Sequence, residues 1–222
     1  AVAGKGGVGK TSASVNLAAA IGMMGYRVLL IDCDPQASAT TLLLGDSEVL
    51  NNNVRHIGHF LLEKTDGPSQ GLEEAIIPIY EGGFLSVLPS DITLAESDAS
   101  MVVAVNSHER ALRFFTRNKA FLQNSFDLVI VDTAPGTTPI GLAFTYAAKI
   151  SGKILTIMEP VGDCIRALES LATNLAELKS LTDANIGIEI VVNKYHPSLK
   201  HVKDNMGILY SKYNQQLNDI VI

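Results

Sequence analysis

Gly4 to Thr11 read Gly-Lys-Gly-Gly-Val-Gly-Lys-Thr. A glycine, four residues, then Gly-Lys-Thr is the pattern of a phosphate-binding loop. Gly4, Gly6, Gly7 and Gly9 let the backbone curl until its N–H groups converge on phosphate oxygens. Lys10 brings a point charge to the β- and γ-phosphates. The Thr11 hydroxyl can ligate Mg²⁺, a cation that keeps much of its water and takes few protein ligands. Lys5 is a second lysine inside the loop. It reads either as a solvated surface lysine or as a cation that reaches a phosphate, including one held by a partner chain.

Two groups of acids complete the candidate chemistry. Asp32 and Asp34 close the run Arg27-Val-Leu-Leu-Ile-Asp-Cys-Asp-Pro-Gln36. Side chains alternate along a strand, so the two carboxylates share one side and Cys33 takes the other. They suit Mg²⁺ and a water molecule, or a turn that caps the next helix. Asp132 ends a second apolar run, Asp127-Leu-Val-Ile-Val-Asp, ahead of Thr133-Ala-Pro-Gly136. An acid after a buried strand, followed by a Gly/Pro turn, is suited to holding Mg²⁺ through water, and Gly136 to donating its N–H to a γ-phosphate. Asn193, at the end of a later strand, suits an adenine contact or a plain turn. Guanine-reading loops place Asp three residues after such an Asn; here His196 stands there, which favours ATP over GTP.

The elements that must position these residues follow from periodicity. Ser12–Met24 has helical spacing and ends at Gly25. Arg27–Ile31 and Asp127–Val131 read as buried strands, as do Phe84–Leu88, Lys153–Met158 and Ile186–Val192. Ser38–Leu44, Val54–Leu62, Leu72–Ile77, Ile92–Val105, Ser107–Gln123, Asp163–Ser180 and Leu199–Tyr213 read as helices. Ser107–Gln123 is expected to turn Ala111, Leu112, Phe115 and Leu122 inward and its arginines outward. His56 and His59 read as surface histidines. Strand, loop, helix, strand is a βαβ unit. The fold class is therefore α/β, doubly wound, with a mostly parallel sheet and helices on both faces.

The 222 residues suffice for a single domain, 1–222, with a full core, and 47% of them are hydrophobic. Ala1 is not an initiator Met and Ala1-Val2-Ala3 makes a short first strand. Part of that strand and the C-terminal end are expected to be missing. No apolar run approaches the ~20 residues of a membrane helix. Cys33 and Cys164 lack metal spacing and read as reduced thiols of a cytoplasmic protein. The net charge of −6 argues against nucleic acid as a bulk partner, but two basic clusters stand out. One is Arg110, Arg113 and Arg117; the other is Lys200, Lys203 and Lys212. Each suits either a solvated face or non-specific DNA.

The two-lysine loop, Asp32-Cys-Asp-Pro-Gln36, Leu88-Pro-Ser90 and the second strand ending in Asp132 together resemble the ParA/MinD ATPases, and ParA (Soj-like) partition ATPases above all. The resemblance implies an ATP-dependent sandwich dimer in which Lys5 reaches the other subunit's nucleotide. It implies ATP contacts from Gly4, Lys5, Gly6, Gly7, Val8, Gly9, Lys10, Thr11, Ser12, Gly136 and Asn193. Thr11, Asp32 and Asp132 would hold Mg²⁺, and Lys5, Lys10 and Asp34 would serve hydrolysis, with Asp34 orienting the attacking water. It further implies a ParB-like adaptor, slow turnover without it, and partition of a plasmid or chromosome on nucleoid DNA. Family members usually read Asp-x-Pro-Pro where this chain has Asp132-Thr-Ala-Pro. Iron-protein relatives need a cysteine soon after that acid, and residues 133–150 contain none. Two other readings fit the same motifs: a MinD-like ATPase that positions a membrane or protein cargo, and a nucleotide-gated switch with little turnover.

Overall fold

The computed structural model describes residues 6–45, 54–80, 82, 84–150, 152–182 and 186–221. They fall into two compact units: residues Thr11–Ala134 with Thr138–Ala147, and residues up to Lys10 with Pro135–Thr137 and those from Ala148 onward.

The larger unit is built on β1 (Val28–Cys33), every residue of which is buried. A strand covered on both faces belongs at the centre of a parallel sheet. It pairs in parallel with β3 (Leu85–Leu88) and β4 (Leu128–Thr133). A two-residue strand, β2 (Ile77–Pro78), pairs antiparallel with β3 and gives the order β2-β3-β1-β4. The alternation of β1 sorts its side chains between two cores. Val28 and Leu30 pack with Ala18 of α1 (Lys10–Met23) and Ala39 of α2 (Ser38–Leu44). Leu29, Ile31 and Cys33 pack on the other face, among α3 (Ile57–Leu62), α5 (Leu94–Val103), α6 (Arg110–Arg117) and α8 (Pro139–Ala147). Phe60, Phe114 and Phe144 fill that side. Asp32 therefore shares the α1–α2 face, by the same period of two.

Several local expectations are corrected here. The helix read over Leu72–Ile77 stops as α4 (Leu72–Ala75), because Ile77 and Pro78 pair with Val87 and Ser86. The single helix over Ser107–Gln123 is a 3-10 turn (Ser107–Glu109), then α6, then α7 (Lys119–Ser125). Asn118 makes the break. Its buried side chain donates to Phe114 O and Ser69 Oγ and accepts from Ser69 N, so it ties down a distant loop. Phe114 is the most buried large side chain of α6, and Leu112 and Phe115 pack partly buried against the same core. The arginines are not all outward. Arg117 is only 8% exposed and donates to Phe60 O, Thr65 O, Ser69 Oγ and Glu63. Arg110 donates to Leu61 O. His56 is fully buried, its ring stacked on His59 and bonded to Thr93 Oγ1 at 3.0 Å.

The smaller unit carries β5 (Lys153–Met158), β6 (Gly187–Val192) and β7 (Leu217–Val221), all parallel. The helices α9 (Gly162–Thr182) and α10 (Lys200–Tyr213) connect them. Leu168, Leu171, Ile190, Val192, Met206 and Leu209 form its core, and Val8 joins them. β7 had no counterpart in the periodicity. No helix among the described residues is long and apolar enough to cross a membrane.

Candidate functional site

In the larger unit the acids gather at the carboxyl ends of β1 and β4. The register sets Asp32 directly beside Asp132, and both are fully buried. Asp132 Oδ1 accepts from Ser14 Oγ at 2.9 Å. Ser14 lies on α1 three residues after Thr11, so this bond fixes the first turn of α1 against the end of β4. Asp32 Oδ2 takes two donors, Thr40 N at 2.9 Å and Thr40 Oγ1 at 2.7 Å, while Oδ1 accepts from Asp34 N at 3.1 Å. Thr40 is in the first turn of α2, whose orphan N–H groups need such acceptors. Asp32 thus caps α2 from the strand.

Asp34 is held from behind. Its Oδ1 accepts from Gln36 N at 2.9 Å, and its backbone carbonyl accepts from Ser90 Oγ at 2.8 Å. Ser90 N in turn donates to Thr40 Oγ1 at 2.9 Å. The chain from Ser90 through Thr40 to Asp32 is buried along its length. Thr40, Ser90 and Ser14 carried no role in the sequence reading; Leu-Pro-Ser was a motif there without a function for its serine. Burial pushes the Asp32 carboxyl up to about 6, against the pull of its Thr40 and Asp34 hydrogen bonds, and neighbouring Asp132 adds to the rise. Two buried carboxylates side by side are oxygen donors of the kind suited to Mg²⁺ and its waters.

In the smaller unit the phosphate loop lies against the end of β6. Gly7 and Gly9 take left-handed φ values of 83° and 95°. A Cβ on Gly9 would stand 2.6 Å from Asn193 Nδ2. Asn193, read as an adenine contact or a plain turn, binds the loop with its amide: Nδ2 donates to Val8 O at 2.9 Å and Oδ1 accepts from Lys194 N at 2.8 Å. Lys194 Nζ donates to Gly7 O at 2.6 Å and pairs with Glu159 at 2.8 Å. Lys10 is buried and opens α1, with Thr11 half-buried and Ser12 exposed behind it. Gly136 is exposed with φ 85°. Gly4 and Lys5 lie outside the described residues.

The basic clusters divide. Lys200 and Lys203 are exposed on α10. Lys212 pairs with Glu169 at 2.6 Å, and Arg113 pairs with Glu109 at 2.9 Å. Arg110 and Arg117 serve the larger unit's own loops, so they leave the DNA candidates.

A glycine loop that runs into a helix, in the smaller unit, and in-register acids at parallel strand ends, in the larger, are each typical of P-loop nucleotide-binding proteins. A family model described as AAA domain matches residues 1–190. The sporulation initiation inhibitor protein Soj of Bacillus subtilis is 30% identical over 207 residues, 92% of this chain and 73% of that protein. The chromosome-partitioning ATPase Soj of Thermus thermophilus is 32% identical over 177 residues, 80% of this chain and 59% of that one. An ATP complex of McdA from Cyanothece superposes with a TM-score of 0.79 at 16% identity, over 99% of this chain and 79% of McdA. The chain belongs to the ParA/MinD family of P-loop ATPases.

Proposed function

We propose that the protein hydrolyses ATP to ADP and phosphate with Mg²⁺, dimerises as an ATP sandwich, and drives partition of a plasmid or chromosome on DNA. The observation that carries this reading is the register of β1 against β4, which sets Asp32 beside Asp132 with Asp34 two residues on. Phosphoryl transfer to water is mostly positioning and charge stabilisation. Lys10 and the loop N–H groups hold the phosphates. Thr11, Asp32 and Asp132 would hold Mg²⁺ and its waters; bound Mg²⁺ would neutralise charge on the transferring phosphoryl group. Asp34, held by Ser90 and Gln36, orients the attacking water. Lys5 reaches across the dimer to the other subunit's nucleotide. A ParB-like adaptor stimulates turnover in the cytoplasm, where Lys200 and Lys203 lay the dimer on nucleoid DNA.

The test is ATPase turnover and DNA binding measured together across a salt series. ATP-dependent binding that weakens steeply with salt is expected. The Asp34→Ala variant should bind ATP and accumulate as dimer by light scattering while turnover falls to background. Natural turnover in that variant would remove Asp34 from the mechanism, and DNA binding indifferent to ATP would end the partition reading.

A further inference from the structure

The smaller unit holds a lysine that the nucleotide reading has not used. We infer that Lys194, steadied by Glu159, is a positioning residue for the phosphate loop, and that it sets which edge of the Gly7–Val8 peptide faces the phosphates. The inference rests on the nucleotide reading above. Lys194 Nζ donates to Gly7 O at 2.6 Å, and Asn193 Nδ2 donates to Val8 O at 2.9 Å. A trans peptide points its C=O and its N–H in opposite directions. Drawing the carbonyls of Gly7 and Val8 toward the end of β6 therefore turns the N–H groups of Val8 and Gly9 the other way. Those are the donors a phosphate loop needs, and a carbonyl in their place would repel the anion.

Three further features fit this role. Lys194 has φ 55°, a left-handed conformation that an ordinary side chain disfavours. The conformation goes with a side chain that returns to the loop and an N–H that caps Asn193 Oδ1. Glu159 is only 18% exposed and pairs with the ammonium at 2.8 Å, so the clamp carries no net charge. Gly9 must lack a side chain, because a Cβ would collide with the Asn193 amide that completes the clamp.

The experiment compares the natural chain with Lys194→Asn, Glu159→Gln and Lys194→Arg. Asn tolerates the left-handed backbone, so the first variant removes the ammonium without adding strain. ADP affinity is measured by calorimetry, and amide exchange at Val8 and Gly9 is followed without nucleotide. Lys194→Asn should weaken ADP about tenfold, the worth of one charge-assisted hydrogen bond. Exchange at Val8 and Gly9 should quicken in Lys194→Asn and Glu159→Gln, while amides of β5 and β6 keep their natural rates. Lys194→Arg should restore affinity. ADP affinity equal to that of the natural chain in both Lys194→Asn and Glu159→Gln would overturn the inference. So would weaker binding with unchanged exchange at Val8 and Gly9. A natural chain that fails to bind ADP would instead overturn the nucleotide reading beneath it.

Discussion

Thr40 meets Asp32 with both its N–H and its hydroxyl, and the same hydroxyl accepts from Ser90 N. One buried oxygen therefore holds a strand-end acid and the loop behind Asp34. Thr40→Val should strand Ser90 N and thin the donors on Asp32, costing about 1–3 kcal/mol in urea unfolding. A cost below 0.5 kcal/mol would show that the network bears little weight. Lys10→Ala should abolish nucleotide binding, because a buried ammonium at the head of α1 has no substitute among neutral residues. ATP affinity equal to the natural protein's would contradict the loop assignment. Gly9→Ala should lower ADP affinity as well, since the new Cβ meets both a left-handed backbone and the Asn193 amide.

At the scale of elements, the broken helix from Ser107 to Ser125 shows how arginines that look like a solvated stripe become internal ties. The carbonyls of Phe60 and Thr65 face the break at Asn118, and Arg117 satisfies both. Arg117→Met should cost about 2–4 kcal/mol, since Glu63 and two carbonyls lose a buried cation. Arg113→Met, at an exposed pair, should stay within about 0.5 kcal/mol. Thermal melts of both variants decide this, and equal losses would refute the internal role of Arg117. A further tie joins the starts of β1 and β4. Arg27 grips Asp127 through its backbone N–H, Nε and Nη2, and holds that carboxyl down at about 2.

For the molecule as a whole, acid should act first through His56. Burial lowers its ring to about 4, stacked His59 adds to this, and Asp91 opposes it. The unfolded chain takes up this proton near pH 6.5 and the folded chain only near 4. The His56 contribution is therefore complete above 6.5 and is lost as pH falls through that window, by about 2 kcal/mol at pH 5, while Asp32, held up at about 6, binds its proton in the folded chain over the same range and offsets part of that loss. Urea midpoints of the natural chain and of His56→Asn at pH 7 and pH 5 measure it: between the two pH values the variant should lose less stability than the natural chain, or gain some. The Arg27–Asp127 tie acts in a separate window, between 3.8 and about 2. An equal fall with pH in the His56 variant would assign the loss to another group.

Local chemistry was legible in the sequence because it depends on neighbours in the chain. Glycines took the left-handed turns of the loop, alternation put Asp32 on the face opposite Cys33, and the runs Val28–Asp32 and Leu128–Asp132 were legible as strands that close on acids. Helical and strand periods located most elements of both units. What only tertiary structure decided is which partner each group finds. Thr40 and Ser90 are 50 residues apart, and Lys194 and Gly7 are 187 apart. No period in the sequence encodes such pairs, because they form when strand ends and helix starts are brought level by packing. For the same reason His56 went inside and Arg117 became an anchor. A side chain's type sets what it can bond, but the elements packed around it choose the bond.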